Sequence, residues 1–175
     1  LGTVSPTKDQ LTLVRALHAI RDLRWDAELV GPTEPGYAGA VRTEIERTGL
    51  AGRVTLTGPR TGAALERTWA VTDLLLLPSR TEAYGLVVTE ALARGVPAVV
   101  SLGTGAVEAL RAGLPQDGPL PGCTAPPGDA PAWAEVLRTW LADAALRDRW
   151  RQAAMSSRDH LPRWEATART VLAAL

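Results

Sequence analysis

The 175-residue chain balances 19 basic against 19 acidic residues and has no net charge, so no global field draws nucleic acid or acidic lipid to it, and any phosphate binding must be local. Its 46% hydrophobic content suffices for the core of one domain, 1–175, and no apolar run approaches the roughly 18 residues of a membrane span. A lone cysteine, Cys123, and two histidines, His18 and His160, argue against a disulfide frame and a Cys/His metal centre, and with no signal peptide at the start they fit a reducing, cytoplasmic setting.

Leu1–Val4 reads as the end of a strand whose beginning is missing, and Ser5-Pro6-Thr7 as a turn. A helix is expected from about Lys8 to Leu23, with Leu13, Val14, Leu17 and Ile20 on one face. Ala27–Val30 is the next strand, stopped by Gly31-Pro32, and a helix over about Ala38–Thr48 follows. Arg53–Thr57 is a strand, Thr61 a cap for a short helix bearing Leu65 and Trp69, and Asp73–Leu77 a strand. Gly85–Arg94 is a helix, Pro97–Ser101 a strand, and Gly103-Thr104-Gly105 opens a helix to about Ala112. The Pro- and Gly-rich stretch from Gly113 to Pro131 holds a short strand near Cys123-Thr124-Ala125. Helices close the chain at about Ala132–Leu141, Ala144–Ser157 and Trp164–Leu175. This alternation predicts an α/β fold: a Rossmann-like parallel sheet of about six strands with helices on both faces.

The run from Pro78 to Pro97 carries the most information. Leu74-Leu75-Leu76-Leu77 has the continuous apolar pattern of a strand covered on both faces, and Pro78 stops it. Glu82 lies in the loop that follows, and Gly85 lets the backbone turn into a helix carrying Glu90. Ligands of such sheets sit at the carboxyl ends of the strands, where Glu82 and the start of the Gly85 helix lie. The first free N–H groups of a helix suit a phosphate. One composition bias adds to this: of the 19 basic residues Lys8 is the single lysine, and it stands in the first loop. A compact ammonium there is a candidate ligand-binding group.

The segment Pro78-Ser79, Glu82, Tyr84-Gly85-Leu86, Glu90, Gly95-Val96-Pro97 resembles the nucleotide-sugar site of retaining glycosyltransferases of family 4. The resemblance implies the C-terminal half of a GT-B architecture, the domain that binds the activated donor. It also implies that the N-terminal acceptor domain is absent from this chain and that the isolated domain is inactive. Lys8, in Gly2-Thr3-Val4-Ser5-Pro6-Thr7-Lys8, matches the lysine that grips the donor's diphosphate, while Thr3 stands where the family carries an arginine. Arg80 is a candidate replacement. By the same resemblance Glu82 and Lys8 are the catalytic residues, with Glu82 facing the sugar. Glu90 holds the ribose, and Gly85, Leu86 and Val87 offer N–H groups to phosphate. Gly2, Thr3 and Val54 complete the nucleotide site, the base lying near Arg53-Val54-Thr55 and Gly31. Gly103-Thr104-Gly105 matches a Gly-Gly turn with Thr104 in place of a glycine, and Glu108 is read as structural. Trp164 resembles the residue that leads into a helix crossing back to the missing domain.

The implied reaction is hexosyl-type transfer from a nucleotide-diphosphate sugar to an acceptor, with retention at the anomeric carbon and with no metal or other cofactor. Its partners are the donor and the N-terminal domain of the same enzyme. Nucleic acid is not among them, and membrane contact comes only through the missing domain. Two alternatives stay open: a nucleotide-sugar epimerase of the same architecture, and a non-catalytic nucleotide-sugar-binding module, favoured only by Thr3 and Thr104. The sugar, base and acceptor are not legible.

Overall fold

In the computed structural model, which describes residues 1–114 and 118–161, strands and helices alternate along the chain. A 3-10 turn, Pro6–Lys8, precedes helix α1 (Gln10–Ala19), strand β1 (Ala27–Val30), α2 (Pro35–Arg47) and β2 (Val54–Gly58). Then come α3 (Gly62–Ala70), β3 (Leu75–Leu77), α4 (Leu86–Leu92), β4 (Ala98–Ser101) and α5 (Ala106–Arg111). β5 (Gly122–Ala125), α6 (Ala130–Ala142) and α7 (Ala144–Arg158) follow.

Among the described residues all strand pairing is parallel, as helix-linked strands require. β4 is buried along its whole length. Val99 packs with residues of α1, α2 and α6, while Ala98 and Val100 pack with α4 and α5. The period-two alternation of a strand thus serves two apolar layers, and helices cover both faces. Each fully buried Val or Leu contributes about 1.5–3 kcal/mol to this core. Trp69, Trp133 and Trp140 are buried, as expected of packing residues. Trp133 donates its indole N–H to the Pro126 carbonyl at 2.9 Å. No helix among the described residues is long and apolar enough to cross a membrane.

Three expectations are corrected. The single sheet of about six strands is instead five strands in two sheets among the described residues, β1–β2 and β3–β4–β5. Leu1–Val4, expected as the end of a strand, makes one isolated parallel bridge, Val4 with Thr33. It pairs only with the end of β1, through the Gly2 N–H to the Val30 carbonyl (2.8 Å) and the Val4 N–H to the Pro32 carbonyl (2.8 Å). The first helix starts at Gln10 rather than Lys8, because Asp9 adopts a left-handed conformation, φ 49°, and caps α1. Its carboxylate accepts from the Thr12 hydroxyl at 2.9 Å and the Thr12 N–H at 3.4 Å. Thr61 stands at the start of α3 but makes no side-chain cap. The expected helix Trp164–Leu175 lies outside the described residues.

Glu44 on α2 is held by Arg47 (2.9 Å, twice) and Arg15 (3.2 Å). The Arg47 hydrogen bonds, with those from Arg15, outweigh burial and lower its carboxyl to about 2 from an ordinary 4.5. A depressed folded value stabilises the fold above pH 4.5, and that contribution is lost as pH falls through 2. Glu44→Gln should cost about 1 kcal/mol at neutral pH, because both arginines are solvated. The gap between variant and parent in urea denaturation should close in acid. A pH-independent gap would show that the effect is packing rather than charge.

Candidate functional site

Parallel strands point their carboxyl ends the same way, so the loops after β1, β3, β4 and β5 collect along one edge of the sheets. The turn Pro6–Lys8 is brought there by the pairing of Val4 with Thr33. Two loops then lock together. The Arg80 N–H donates to the Thr7 carbonyl at 2.8 Å. The Arg80 guanidinium pairs with Asp9 at 3.0 Å, and the Lys8 ammonium donates to Glu82 Oε2. The fully buried Ser79 lies with its hydroxyl 3.4 Å from the same oxygen. Two ion pairs of opposite polarity therefore bridge the first loop and the loop after β3.

The backbone of that second loop is fixed from below. The Gly105 N–H donates to the Glu82 carbonyl at 2.8 Å. A Cβ on Gly105 would lie 1.9 Å from the Ala83 carbonyl oxygen, so no side chain fits. Thr104, in place of a glycine, turns its hydroxyl back to the Ser101 carbonyl at 2.9 Å and fits the turn without strain. Gly85 takes φ 85° and caps α4, a conformation that residues with a Cβ rarely adopt. The N–H groups of Leu86 and Val87 open α4 without helical partners.

The structure places most of the expected residues on this edge. Lys8 and Glu82 are in contact, and Gly2 and Thr3 lie on the same first segment. The Thr3 carbonyl accepts from the buried Gln10 amide at 3.0 Å. Glu90 lies on α4, exposed. Arg94 does not pair with its carboxylate but bonds the Glu90 carbonyl (3.1 Å) and Glu66 (2.8 Å). Val54 is different. It is buried at the start of β2, beside Ala27, whereas the carboxyl end of that pair is Val30 beside Gly58. Four residues of strand put Val54 about 13 Å from the site edge. Arg53 next to it is spent on the Leu23 and Trp25 carbonyls (2.6 and 2.7 Å) and on the Trp25 ring. Trp164 lies outside the described residues.

Sequence reading missed Asp9 and named Ser79 only as part of the motif, without a role. The spacing Asp9-x-x-Thr12 is a helix-capping signal and was legible. The partnership of Asp9 with Arg80 was not, since 70 residues of chain separate them. Tyr84 is half-buried; burial, then the charge of Glu108, raises its hydroxyl pKa. His18 Nδ1 lies 3.1 Å from the Thr48 carbonyl, a structural contact. Among the described residues no group of three or more His, Cys, Asp or Glu converges to hold a metal.

The family model for "Glycosyl transferases group 1" matches residues 1–143, most of the chain and the whole of this edge. The chain belongs to this family. A D-inositol 3-phosphate glycosyltransferase of Jonesia denitrificans is 30% identical over 182 aligned positions, covering 98% of this chain and 41% of the relative. The chain thus spans less than half the length of this curated group 1 relative. Among solved structures, Anabaena Alr3699/HepE in complex with UDP superposes with a TM-score of 0.82 at 25% identity, over 99% of this chain and 48% of that one. It has also been solved with UDP-glucose. The C-terminal domain of LpcC, a group 1 glycosyl transferase of Francisella tularensis, shares the fold at TM-score 0.70 and 18% identity, over 91% of this chain and 80% of that one. The fold is therefore that of the C-terminal domain of GT-B glycosyltransferases, with helices on both sides of parallel sheets.

Proposed function

We propose that this group 1 chain is the donor-binding domain, over 1–175, of a hexosyl-type glycosyltransferase. It would act on a nucleotide-diphosphate sugar with retention of anomeric configuration. The observation that carries this reading is the Lys8–Glu82 pair at the carboxyl edge of the sheets, in a chain whose relative Alr3699/HepE was solved with UDP and UDP-glucose.

In this reading the bond between the anomeric carbon and the diphosphate breaks, and the nucleoside diphosphate departs with the electron pair. The acceptor oxygen bonds the same face of that carbon and passes its proton to the departing phosphate, so no protein base is required. Lys8 meets the charge that grows on the diphosphate and so stabilises the transition state above the ground state. Glu82 faces the sugar and favours positive charge developing at the anomeric carbon. Glu90 accepts from the ribose hydroxyls, and the N–H groups of Gly85, Leu86 and Val87 face phosphate. The diphosphate competes with Glu82 for Lys8, so donor binding exchanges one partner of Lys8 for another. Thr3 supplies no second cation, and Arg80 is engaged by Asp9 at 3.0 Å. The N-terminal domain of the same enzyme supplies the acceptor side. No metal or cofactor takes part, and the setting is cytoplasmic. Consistent with a reduced lone cysteine, burial pushes the Cys123 thiol up to about 11.

Calorimetric titration of the longer enzyme with UDP and UMP tests this. Lys8→Ala should weaken UDP more than UMP, and Glu90→Gln should weaken both by about 1–3 kcal/mol, the value of a charged hydrogen-bond partner. Equal loss for the two nucleotides in Lys8→Ala would remove Lys8 from the outer phosphate. Unchanged affinity in Glu90→Gln would remove Glu90 from the ribose.

A further inference from the structure

The two ion pairs that join the first loop to the loop after β3 differ in their surroundings. Lys8 and Asp9 are neighbours on one loop, and Arg80 and Glu82 lie close together on the other, so each loop offers one cation and one anion to its opposite. Lys8–Glu82 is the pair that donor binding opens in the reading above, and Asp9–Arg80 has no such task. The Asp9 side chain is 5% exposed and that of Arg80 62%. The anion is therefore the buried half, and the cation reaches it from the surface.

Asp9 is a fixed anchor. Its carboxylate accepts from the Thr12 hydroxyl at 2.9 Å and lies 3.0 Å from the Arg80 guanidinium, as a buried charge requires. The turn around it is pinned. The Ser5 N–H donates to Gln10 Oε1 at 3.3 Å, and the Leu11 N–H to the Tyr37 hydroxyl at 3.1 Å. The left-handed φ of Asp9 sends two neighbouring side chains apart: Lys8 goes to Glu82, while Asp9 turns back to α1 and to Arg80. The loop after β5 passes alongside Arg80, where a Cβ on Gly128 would stand 3.9 Å from the guanidinium.

Once a diphosphate takes Lys8, the Lys8–Glu82 link between the loops is gone. Two links still join them, the Arg80 N–H to the Thr7 carbonyl at 2.8 Å and the Asp9–Arg80 pair. Opening that pair would leave a buried carboxylate without its cation, so it resists opening more than an exposed pair does. We propose that Asp9 and Arg80 are positioning residues, a second link that holds the two loops in register while Lys8 changes partner from Glu82 to the donor's diphosphate. They act through Lys8 and Glu82 rather than on the donor, and their role rests on the donor-binding reading.

Amide hydrogen exchange at residue 80 of the longer enzyme, with and without saturating UDP, tests this, because that N–H crosses between the loops. Asp9→Asn keeps the side-chain length, the cap acceptor and a tolerance of the left-handed conformation, but removes the charge. Arg80→Gln removes the other end and leaves the backbone of Asp9 untouched. In the parent, UDP should leave the amide as protected as before. In both variants it should stay protected without UDP and exchange about 10-fold faster with UDP bound. Arg80→Lys, which keeps the charge, should restore most of that protection. Variants whose amide ignores UDP would overturn the proposal. So would an equal loss with and without UDP, which marks plain support of the fold, or an effect in one of the two variants only. Complete loss of UDP binding in both variants would place the pair in the donor site itself and overturn it too. A parent that binds no UDP would overturn the donor-binding reading along with the pair, whereas the other failures leave that reading standing.

Discussion

Replacing Glu82 by alanine in the full enzyme should lower the rate of sugar transfer by about 10²–10³-fold, the usual cost of losing one group aimed at developing charge. Affinity for free UDP should not fall with it. Glu82 is the partner of Lys8 in the unliganded site, and its removal frees that ammonium for the diphosphate. UDP binding is therefore expected to hold or to tighten while turnover collapses. Glu82→Gln separates charge from shape. It keeps a side chain of the same length near Ser79 but carries no negative charge, so it should be nearly as slow as the alanine variant. Steady-state kinetics with a UDP-sugar, paired with UDP titration, provides both readings. A parallel loss of UDP affinity and rate would show that Glu82 supports the loop rather than the reaction.

Gly105→Ala should be the most damaging small substitution at this edge. Its new methyl would meet the Ala83 carbonyl oxygen at 1.9 Å and the Glu82 carbonyl oxygen at 2.9 Å. Both are backbone atoms, so no rotamer change relieves the overlap. The loop after β3 must move, and the hydrogen bond from Gly105 to the Glu82 carbonyl is lost with it. The expected cost is about 3 kcal/mol, or roughly a 10 °C fall in melting temperature for a domain of this size. Thr104→Ala, one residue away, loses only a hydroxyl bond to the Ser101 carbonyl and should cost about 1 kcal/mol. A Gly105→Ala protein that melts like the parent would mean that this turn is softer than its contacts imply.

The loop around Glu82 shows how far local pattern carries. Pro78, Gly85 and the apolar runs on either side are local signals, and strand, loop and helix follow from them. The placing of Glu82 at the ligand edge follows from parallel order, a rule of chain topology. What holds Glu82 in place is not local. Lys8 stands 74 residues away in the chain, and Gly105 approaches from the loop after β4, at the start of α5. The backbone conformation of Asp9 was invisible in the sequence too. The cap that Asp9 puts on α1 was legible in its spacing from Thr12, but its pairing with Arg80 is visible only once both loops are folded.

The amino-acid sequence by itself determined the α/β class, the order of the elements and the family, because period-two and helical patterns, Gly/Pro stops and a dense run of motif residues are written within short windows. Only the tertiary structure decided that Val54 sits at the far end of β2, that Glu90's carboxylate is not taken by Arg94, and that the described strands pair as β1–β2 and β3–β4–β5. Those facts depend on register and on which distant edges find one another. Such choices are made by packing and hydrogen bonding summed over the whole fold, and no single stretch of residues encodes them.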